Sequence, residues 1–219
     1  MTFDIPCVED PRPFAPRGGT LYSPVSMTSS LPPIDRSIVL VGLMGVGKST
    51  IGRRLAKRLR LDFVDSDTEI ELACGCSVSE IFERFGEPSF RDGERRVIAR
   101  LVEGAPKVLA TGGGAFMDPG TRALILDTCI AVWLDADPAV LAERVSRRDS
   151  RPLLKNKDPL AVLQSLAEIR NPIYAQAHIH VRSEPAPHDS AVEHIIAALT
   201  RWQQDQPRPD RTNPETARR

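Results

Sequence analysis

The sequence lacks a net charge, a long apolar run and a cysteine framework. Its 29 basic and 29 acidic side chains cancel, so no overall field favours nucleic acid or a membrane as a partner. No stretch approaches the roughly 20 apolar residues of a membrane-spanning helix. Four cysteines occur in 219 residues, and the pair Cys74 and Cys76 has no second ligand pair at zinc-site spacing. These absences favour a protein of the reducing cytoplasm.

Proline is unevenly distributed and marks the ends of a domain. Residues 1–35 hold seven of the 19 prolines, and residues 203–219 are rich in Gln, Pro, Asp and Arg. Neither end could bury enough apolar surface to order itself, so we expect flexible tails at 1–35 and 203–219 around one domain at 36–202. The first residues are acidic where a secretory signal is basic, so we expect no signal peptide, and translation could instead start at Met27.

A glycine-rich loop follows the first apolar run of this domain, at 38–41. The spacing Gly42-x-x-x-x-Gly47-Lys48-Ser49 matches the phosphate-binding P-loop, and a helical pattern begins directly after it. Glycine lets the backbone curl close to an anion, so that successive N–H groups converge on phosphate oxygens. Lys48 adds a positive charge, and the Ser49 hydroxyl is a ligand for Mg²⁺. The loop predicts binding of a nucleoside triphosphate.

Apolar runs alternate with helical patterns along the rest of the domain. Short apolar runs predict strands at 38–41, 63–64, 108–110, 130–134 and 179–181. Asp-Pro pairs, each an N-cap before a proline at the first helical position, predict helix starts at Asp118, Asp137 and Asp158. This alternation favours a three-layer α/β/α P-loop NTPase fold with a mainly parallel five-stranded sheet. In such sheets, ligands bind at the carboxyl ends of the strands.

Polar clusters stand near these strand ends. In Asp65-Ser66-Asp67, one carboxylate could hold Mg²⁺ through water and the other could orient a substrate hydroxyl and accept its proton; a plain helix cap is the alternative. Arg91 and Glu94 lie three residues apart at a predicted helix start, so Glu94 can hold the guanidinium while it grips a carboxylate. The triple glycine 112–114 exposes backbone N–H groups to a small ligand, unless it is merely a flexible loop.

A basic segment lies between the second and third Asp-Pro helix starts. It includes Arg144, Arg147, Arg148 and Arg151, and Arg170 follows further along the chain. The residues from about 148 to 157 contain few apolar side chains, so we expect a mobile lid that closes over phosphates. A solvated charged surface is the alternative.

Taken together, the motifs resemble shikimate kinase over about residues 37–200. The matching segments are Gly42–Thr50, Phe63–Asp67 with Glu71, Ile81-Phe82 with Gly86-Glu87, Phe90-Arg91-x-x-Glu94, Thr111–Gly114, Arg151–Leu154 and Arg170-x-Pro-x-Tyr174. The resemblance implies phosphorylation of the shikimate 3-hydroxyl by ATP, giving shikimate 3-phosphate and ADP on the route to chorismate and the aromatic amino acids. It also implies one Mg²⁺ per subunit and no nucleic-acid or membrane partner, and we expect a monomer.

The resemblance assigns a role to each candidate residue. Nucleotide binding falls to Gly45, Val46, Gly47, Lys48, Ser49, Thr50, Arg144 and Arg151. Substrate binding falls to Asp67, Arg91, Gly113 and Arg170, with Asp67 holding the hydroxyls and the arginines gripping the carboxylate. The catalytic set is Lys48, Asp67 and Arg151. Glu94 would orient Arg91, Phe82 and Phe90 would form apolar walls, and the metal would be held by Ser49 and, through water, by Asp65.

Two other functions remain open from the sequence. A kinase for another small hydroxylated acid, such as gluconate, would share the P-loop but would not need Arg91, the triple glycine and Arg170 together. A regulatory module could bind ATP without catalysis, although Lys48, Asp67 and Arg151 argue against that. A GTPase is excluded, because the Asn-Lys-x-Asp pattern at 156–159 ends in proline. The segment 182–187 departs from the basic stretch that often contacts adenine in relatives, so the adenine contacts stay open.

Overall fold

The computed structural model describes residues 34–146, 158–183 and 188–205. Within these ranges the strands are β1 (Ile38–Val41), β2 (Asp62–Asp65), β3 (Lys107–Ala110), β4 (Ile130–Asp135) and β5 (Ile179–Arg182). The helices are α1 (Lys48–Leu59), α2 (Ser66–Cys74), α3 (Val78–Val102), α4 (Pro119–Thr128), α5 (Pro138–Ser146), α6 (Pro159–Tyr174) and α7 (His188–Asp205), with a 3₁₀ turn at Ala115–Met117. The predicted lid at 148–157 and nearly all of both predicted tails lie outside the described residues. Helix α7 continues to Asp205, three residues past the expected end of the domain at 202.

The five strands form one parallel sheet in the order β2-β3-β1-β4-β5. Leu40 of β1 is in register with Ala110 of β3 and Val132 of β4, so these strands end at the same edge. Strand β1 is buried throughout, as a central parallel strand covered on both faces should be. The predicted mainly parallel five-stranded sheet is confirmed.

Helices cover both faces of this sheet. Helix α1 packs against α7 on one face, whereas α3 packs against α4 and α5 packs against α6. Right-handed crossovers account for this division, because the chain moves one way along the sheet after β1 and the other way after β2. The predicted three-layer α/β/α fold is therefore confirmed. Within the described ranges, no helix combines the length and the hydropathy that a bilayer crossing requires.

The three predicted helix starts are present with their caps. Asp118 accepts a hydrogen bond from the Thr121 N–H at 2.8 Å, and Asp158 accepts one from Leu160 at 3.0 Å. Asp137 accepts from Ala139 at 2.8 Å. Each cap satisfies an N–H that the helix itself leaves unpaired and contributes about 1 kcal/mol.

Helix α3 forms one wall of the site and is kinked near its middle. It starts with a reciprocal cap between Ser77 and Glu80. At Gly86 the backbone leaves the helical conformation, with φ 76° and ψ 170°. The helical path restarts after this glycine, so Arg91 lies in the second turn after the kink. The sequence had instead predicted that Arg91 lies at a helix start. The first half of α3 and α2 share a small separate core of Ile70, Ile81 and Phe90.

His178 precedes β5 and accepts a hydrogen bond from the sheet. The Ala131 N–H donates to its Nδ1 at 3.0 Å, so this nitrogen carries no proton in the folded protein. Desolvation, assisted by the charge of Arg36, lowers the pKa of His178. The unfolded chain takes up this proton near pH 6.5, about the ordinary value. The contribution of His178 to the free energy of unfolding is therefore fully present above about pH 6.5 and falls as the pH drops below that value.

We expect His178→Gln to unfold at a lower temperature than the wild type at neutral pH but to lose less stability in acid. Between about pH 7.5 and about pH 5, its Tm should fall roughly 2 to 4 °C less than that of the wild type. The exposed His194 offers a matched control, since His194→Gln should keep the wild-type pH dependence. The measurement is thermal unfolding by circular dichroism, and identical pH dependence in His178→Gln and the wild type would contradict the assignment.

Candidate active site

The P-loop runs from the end of β1 to the start of α1 and needs glycine at three positions. Gly42, Gly45 and Gly47 have φ values of 135°, 83° and 97°, which side chains disfavour. Gly42 also has no space for a side chain, since a Cβ would collide with the Leu134 carbonyl oxygen. Helix α1 begins at Lys48, so the loop brings the unpaired N–H groups of its first turn to the edge of the sheet.

A cavity of about 410 Å³ lies over this loop. It is lined by residues that follow β1, β2 and β3 and by the end of α5: Met44, Gly45, Gly47, Lys48, Ser49, Thr50, Asp65, Asp67, Thr111, Gly112, Gly113, Arg144 and Val145. We call it the nucleotide cavity. Val46, which was also predicted to bind nucleotide, has a fully buried side chain, so its backbone alone could take part. Arg151 lies outside the described residues.

Charged and hydroxyl groups in the nucleotide cavity are held by local contacts. Lys48 Nζ donates to the carbonyl oxygens of Gly42 and Leu43 at 2.8 and 3.0 Å. Ser49 Oγ donates to Asp65 Oδ2 at 2.5 Å. Asp65 also caps α2 by accepting a hydrogen bond from the Asp67 N–H at 3.1 Å. In the segment Asp65-Ser66-Asp67, the helix cap that the sequence offered as an alternative is therefore present at Asp65.

The Ser49 and Asp65 pair fits a magnesium ion. Both groups offer hard oxygen atoms beside the phosphate-binding loop, the donor type that Mg²⁺ prefers. Among the described residues, no cluster of three or more His, Cys, Asp or Glu side chains could hold a metal by itself. A site with few protein ligands suits Mg²⁺, because this ion keeps several waters and shares its shell with substrate phosphates.

Arg144 on α5 borders the same cavity. Its Nη1 is buried and has no hydrogen-bond partner among the described residues. A buried guanidinium N–H without a partner is costly, so an anionic or polar ligand in the cavity would satisfy it. The arrangement suits the predicted contact between Arg144 and a nucleotide.

A second cavity, of about 390 Å³, adjoins the first. We call it the acceptor cavity. Its walls come from α2, α3, the triple-glycine loop and α6: Met44, Asp67, Glu71, Ser77, Val78, Ser79, Phe82, Phe90, Arg91, Glu94, Gly112, Gly113, Gly114 and Arg170. All six residues predicted to bind or enclose the substrate from α3, the glycine loop and α6 are among them. Met44, Asp67, Gly112 and Gly113 line both cavities.

Asp67 therefore stands where the two cavities meet. Its Oδ1 is buried and has no hydrogen-bond partner among the described residues. Burial raises the pKa of Asp67, and the nearby Asp65 charge adds to this, while Lys48 opposes it. A carboxylate whose pKa is raised is a better proton acceptor than an ordinary aspartate.

Arg91 reaches the acceptor cavity from α3 and is held by two glutamates. Its Nη1 donates to Glu94 Oε2 at 2.6 Å, and its Nη2 donates to Glu87 Oε1 at 3.1 Å. Burial alone would lower the pKa of Arg91, but the two carboxylates outweigh it and raise the pKa. Glu94 is almost fully buried, and burial raises its pKa despite the opposing charge of Arg91. The predicted pairing of Arg91 with Glu94 is present.

The triple-glycine loop follows β3 and fits between charged side chains. A Cβ on Gly112 would lie 2.7 Å from Glu94 Oε1 and 2.8 Å from Asp67 Oδ1, so glycine lets both carboxylates approach. The Gly112 N–H donates to the buried Ser66 Oγ at 3.2 Å. Arg170 Nη1 donates to the Gly113 carbonyl oxygen at 3.1 Å. These contacts make the segment a fixed part of the cavity wall and argue against the flexible-loop alternative.

Two phenylalanines form the apolar part of the acceptor cavity. The ring centroids of Phe82 and Phe90 lie 4.6 Å apart. The Arg91 guanidinium carbon lies 5.1 Å from the Phe90 centroid, within the range of a cation–π contact. Part of the cavity wall is therefore apolar, and its charged lining includes Asp67 on α2, Arg91 on α3 and Arg170 on α6.

Sequence reasoning missed Met44 in the walls and Ser66 next to them. Met44 occupies a variable position of the P-loop, so its place between the cavities left no signal in the motif. Ser66 was seen as the middle of an acidic pair, and its contact with Gly112 depends on the pairing of β2 with β3. Asp135, at the end of β4, lies 3.3 Å from His180 Nε2 and lines neither cavity. The segment 184–187, where adenine contacts were left open, lies outside the described residues.

Several known proteins with similar sequences are described as shikimate kinases. The family model described as shikimate kinase matches residues 44–200. The shikimate kinase of Caulobacter vibrioides is 60% identical over 164 residues, which cover 75% of this chain and 82% of that protein. The shikimate kinase of Zymomonas mobilis is 56% identical over 169 residues, covering 77% of this chain and 96% of that protein.

Solved structures agree with the sequence matches. Shikimate kinase from Acinetobacter baumannii in complex with shikimate has a TM-score of 0.72 and 37% identity, and the match covers 75% of this chain and 92% of that one. A gluconokinase from Sinorhizobium meliloti has a TM-score of 0.54 at 20% identity, covering 78% of this chain and 98% of that one. The second likeness shows a shared fold and nothing about the substrate.

Proposed function

The chain belongs to the shikimate kinase family, and we propose a role in the reaction for each residue that lines its two cavities. It is an enzyme that transfers a phosphoryl group from ATP to shikimate, a step of aromatic amino acid biosynthesis. We infer that the acceptor is the 3-hydroxyl and that the products are shikimate 3-phosphate and ADP. The observation that carries this assignment is the position of Asp67 between the nucleotide cavity and the acceptor cavity.

The nucleotide cavity supplies the donor half of the reaction. The P-loop N–H groups and the first turn of α1 bind the phosphates, and Lys48 turns its ammonium toward the β- and γ-phosphates. In the structure this ammonium lies against the carbonyls of Gly42 and Leu43, so it needs a short movement to reach a phosphate. Ser49 and Asp65 would hold Mg²⁺, Asp65 through water. Mg²⁺, when bound, neutralises charge on the β- and γ-phosphate oxygens.

The acceptor cavity suits shikimate because its lining includes side chains of opposite charge. Shikimate carries a carboxylate at one end of a small ring and hydroxyls at the other. Arg91 and Arg170 bind the carboxylate, and Glu94 fixes Arg91 for that contact. Asp67 binds the hydroxyls, and the ring lies between Phe82 and Phe90 on one side and the glycine loop on the other. The N–H of Gly113 also binds the substrate.

Asp67 is placed to receive the proton of the reacting hydroxyl. As the 3-hydroxyl oxygen bonds to the γ-phosphorus, its proton passes to the Asp67 carboxylate. The bond between the γ-phosphorus and the β–γ bridging oxygen breaks, and ADP leaves with the electron pair of that bond. Lys48 stabilises the charge that spreads over the transferring group. The raised pKa of Asp67 favours this proton transfer.

Three further features belong to the proposal. We infer that Arg151 comes from a lid at about 148–157 and that lid closure keeps water from competing as the acceptor. We also infer a monomer, because described residues of one chain line both cavities. A cytoplasmic location fits the unpaired thiols of Cys74, Cys76 and Cys129.

A coupled assay of ADP release tests the substrate directly. The enzyme is supplied with ATP and Mg²⁺ and with either shikimate or gluconate, and the phosphorylated product is identified by phosphorus NMR. We expect turnover with shikimate and at most background ADP release with gluconate, because gluconate lacks a ring that fills the space between Phe82 and the glycine loop. Turnover with gluconate and none with shikimate would contradict the proposal.

Arg91→Lys tests whether Arg91 binds the carboxylate of shikimate. We expect the KM for shikimate to rise about 30-fold while the KM for ATP stays within about twofold, because a point charge cannot replace a bidentate fork. Arg96→Lys is the matched control, since the exposed Arg96 on the same helix pairs with Asp92. Steady-state kinetics with each substrate varied would decide, and an unchanged KM for shikimate would remove Arg91 from the site.

A further inference from the structure

Tyr174 is the last residue of α6, and the roles assigned above do not use it. Its side chain is fully buried, and its hydroxyl donates a hydrogen bond to the Gly113 carbonyl oxygen. Arg170, one helical turn earlier, donates to the same oxygen at 3.1 Å. Two donors from α6 therefore meet at one carbonyl of the loop that lines the acceptor cavity.

The Tyr174 ring is held between two aromatic neighbours. Its centroid lies 6.4 Å from that of Phe116, which follows the glycine loop, and 6.0 Å from that of Trp133 in β4. These contacts tie the ring to the sheet and leave the hydroxyl little freedom to move. Burial raises the pKa of Tyr174 to about 12, so the hydroxyl keeps its proton and can donate at any working pH.

The Gly113 carbonyl controls how the glycine loop contacts Arg91 and Arg170, the two arginines proposed to bind the substrate. A trans peptide points its carbonyl and the following N–H in opposite directions, so a carbonyl held toward α6 fixes the orientation of Gly114. Gly114 packs so closely on the Arg91 guanidinium that a Cβ would overlap it. The same carbonyl anchors Arg170. One oxygen thus connects both arginines of the acceptor cavity.

We propose that Tyr174 is a positioning residue for the acceptor and that it acts through the Gly113 carbonyl. Its hydroxyl holds the glycine loop and Arg170 in the arrangement that receives the shikimate carboxylate. It touches neither the nucleotide nor the reacting hydroxyl. The effect of losing it should therefore fall on shikimate binding and leave ATP binding nearly unchanged. This inference rests on the proposed function, since it concerns how that substrate is held.

Tyr174→Phe removes the hydroxyl and keeps the ring. We expect the KM for shikimate to rise about fivefold to tenfold, the effect of one lost hydrogen bond between neutral groups. The KM for ATP should stay within about twofold, and kcat should fall less than about threefold. Because Tyr174 and Arg170 act on one oxygen, the effects of Tyr174→Phe and Arg170→Lys on the KM for shikimate should not add in the double variant.

Ser37→Ala is the control for a purely structural effect. Ser37 is buried, and its hydroxyl accepts a hydrogen bond from the Lys107 N–H at the opposite end of the sheet. This variant should lose stability with no change in the KM for shikimate. Should Tyr174→Phe fail to fold, Phe116→Leu loosens the same ring and keeps the hydroxyl; we expect it to raise the KM for shikimate alone.

The outcomes separate the two proposals. If the wild type phosphorylates shikimate and the KM for shikimate is unchanged in Tyr174→Phe, or in Phe116→Leu where that variant replaces it, the positioning role is overturned. Equal rises in the KM for shikimate and for ATP would also overturn it, since they indicate a general loss of structure. A wild type that does not phosphorylate shikimate would instead refute the proposed function, before any variant is compared.

Discussion

Asp67→Asn is expected to lower kcat about 10³-fold while the KM for ATP stays within about threefold. Asparagine has the shape of aspartate but cannot accept the hydroxyl proton at neutral pH. The substitution also removes a buried charge whose Oδ1 has no partner among the described residues, so we expect the variant to unfold at no lower temperature than the wild type. A large loss of activity without a loss of stability would separate the chemical role of Asp67 from a structural one.

The pH dependence of kcat/KM provides a second test of Asp67 as the base. The base must be ionised, and burial raises the pKa of Asp67, so kcat/KM should fall as the pH drops through this raised pKa. This acidic limb should be absent from the residual activity of Asp67→Asn. The exposed Asp62 begins β2, the strand that leads into α2 and Asp67, and Asp62→Asn should behave as the wild type. Near-normal turnover in Asp67→Asn would refute the role as base.

Lys48→Ala is expected to lower kcat about 10³-fold, or roughly 4 kcal/mol of transition-state stabilisation. The ammonium lies within the P-loop, where it contacts the carbonyls of Gly42 and Leu43. A short movement brings this charge to the phosphates, and alanine removes its share of the charge that offsets the transferring group. We also expect the KM for ATP to rise, because the same ammonium contributes to phosphate binding.

The exposed Lys57 offers a control on the same helix. Lys57→Ala should keep the wild-type kcat and the wild-type KM for ATP. Single-turnover measurements with saturating ATP would separate weaker binding from slower chemistry. A Lys48→Ala enzyme that turns over at more than about a tenth of the wild-type rate would show that this charge does not act on the transition state.

Much of the fold could be predicted because its signals are local. Each predicted strand lies within one residue of the observed strand at either end, since buried parallel strands are short apolar runs. The Asp-Pro caps fixed three helix starts, because an N-cap acts within its own turn. The P-loop could be predicted for the same reason. Its glycines are required by the backbone itself at Gly42, Gly45 and Gly47.

The features that were missed depend on contacts between distant parts of the chain. Helix α3 is kinked at Gly86, and a single glycine within a helical pattern does not reveal its backbone conformation. Met44 separates the two cavities only because the glycine loop after β3 comes to lie beside the P-loop. Tyr174 belongs to a motif that the sequence did reveal, but its hydrogen bond to Gly113 spans 61 residues. No local pattern could have supplied that partner.

The most direct test of the central claim is a crystal structure of the enzyme with shikimate, Mg²⁺ and an ATP analogue that cannot be hydrolysed. The account predicts the shikimate carboxylate between Arg91 and Arg170, with its 3-hydroxyl within about 3 Å of an Asp67 oxygen and directed at the γ-phosphorus. A shikimate carboxylate bound at Asp67, or a 3-hydroxyl pointing away from the nucleotide cavity, would contradict it.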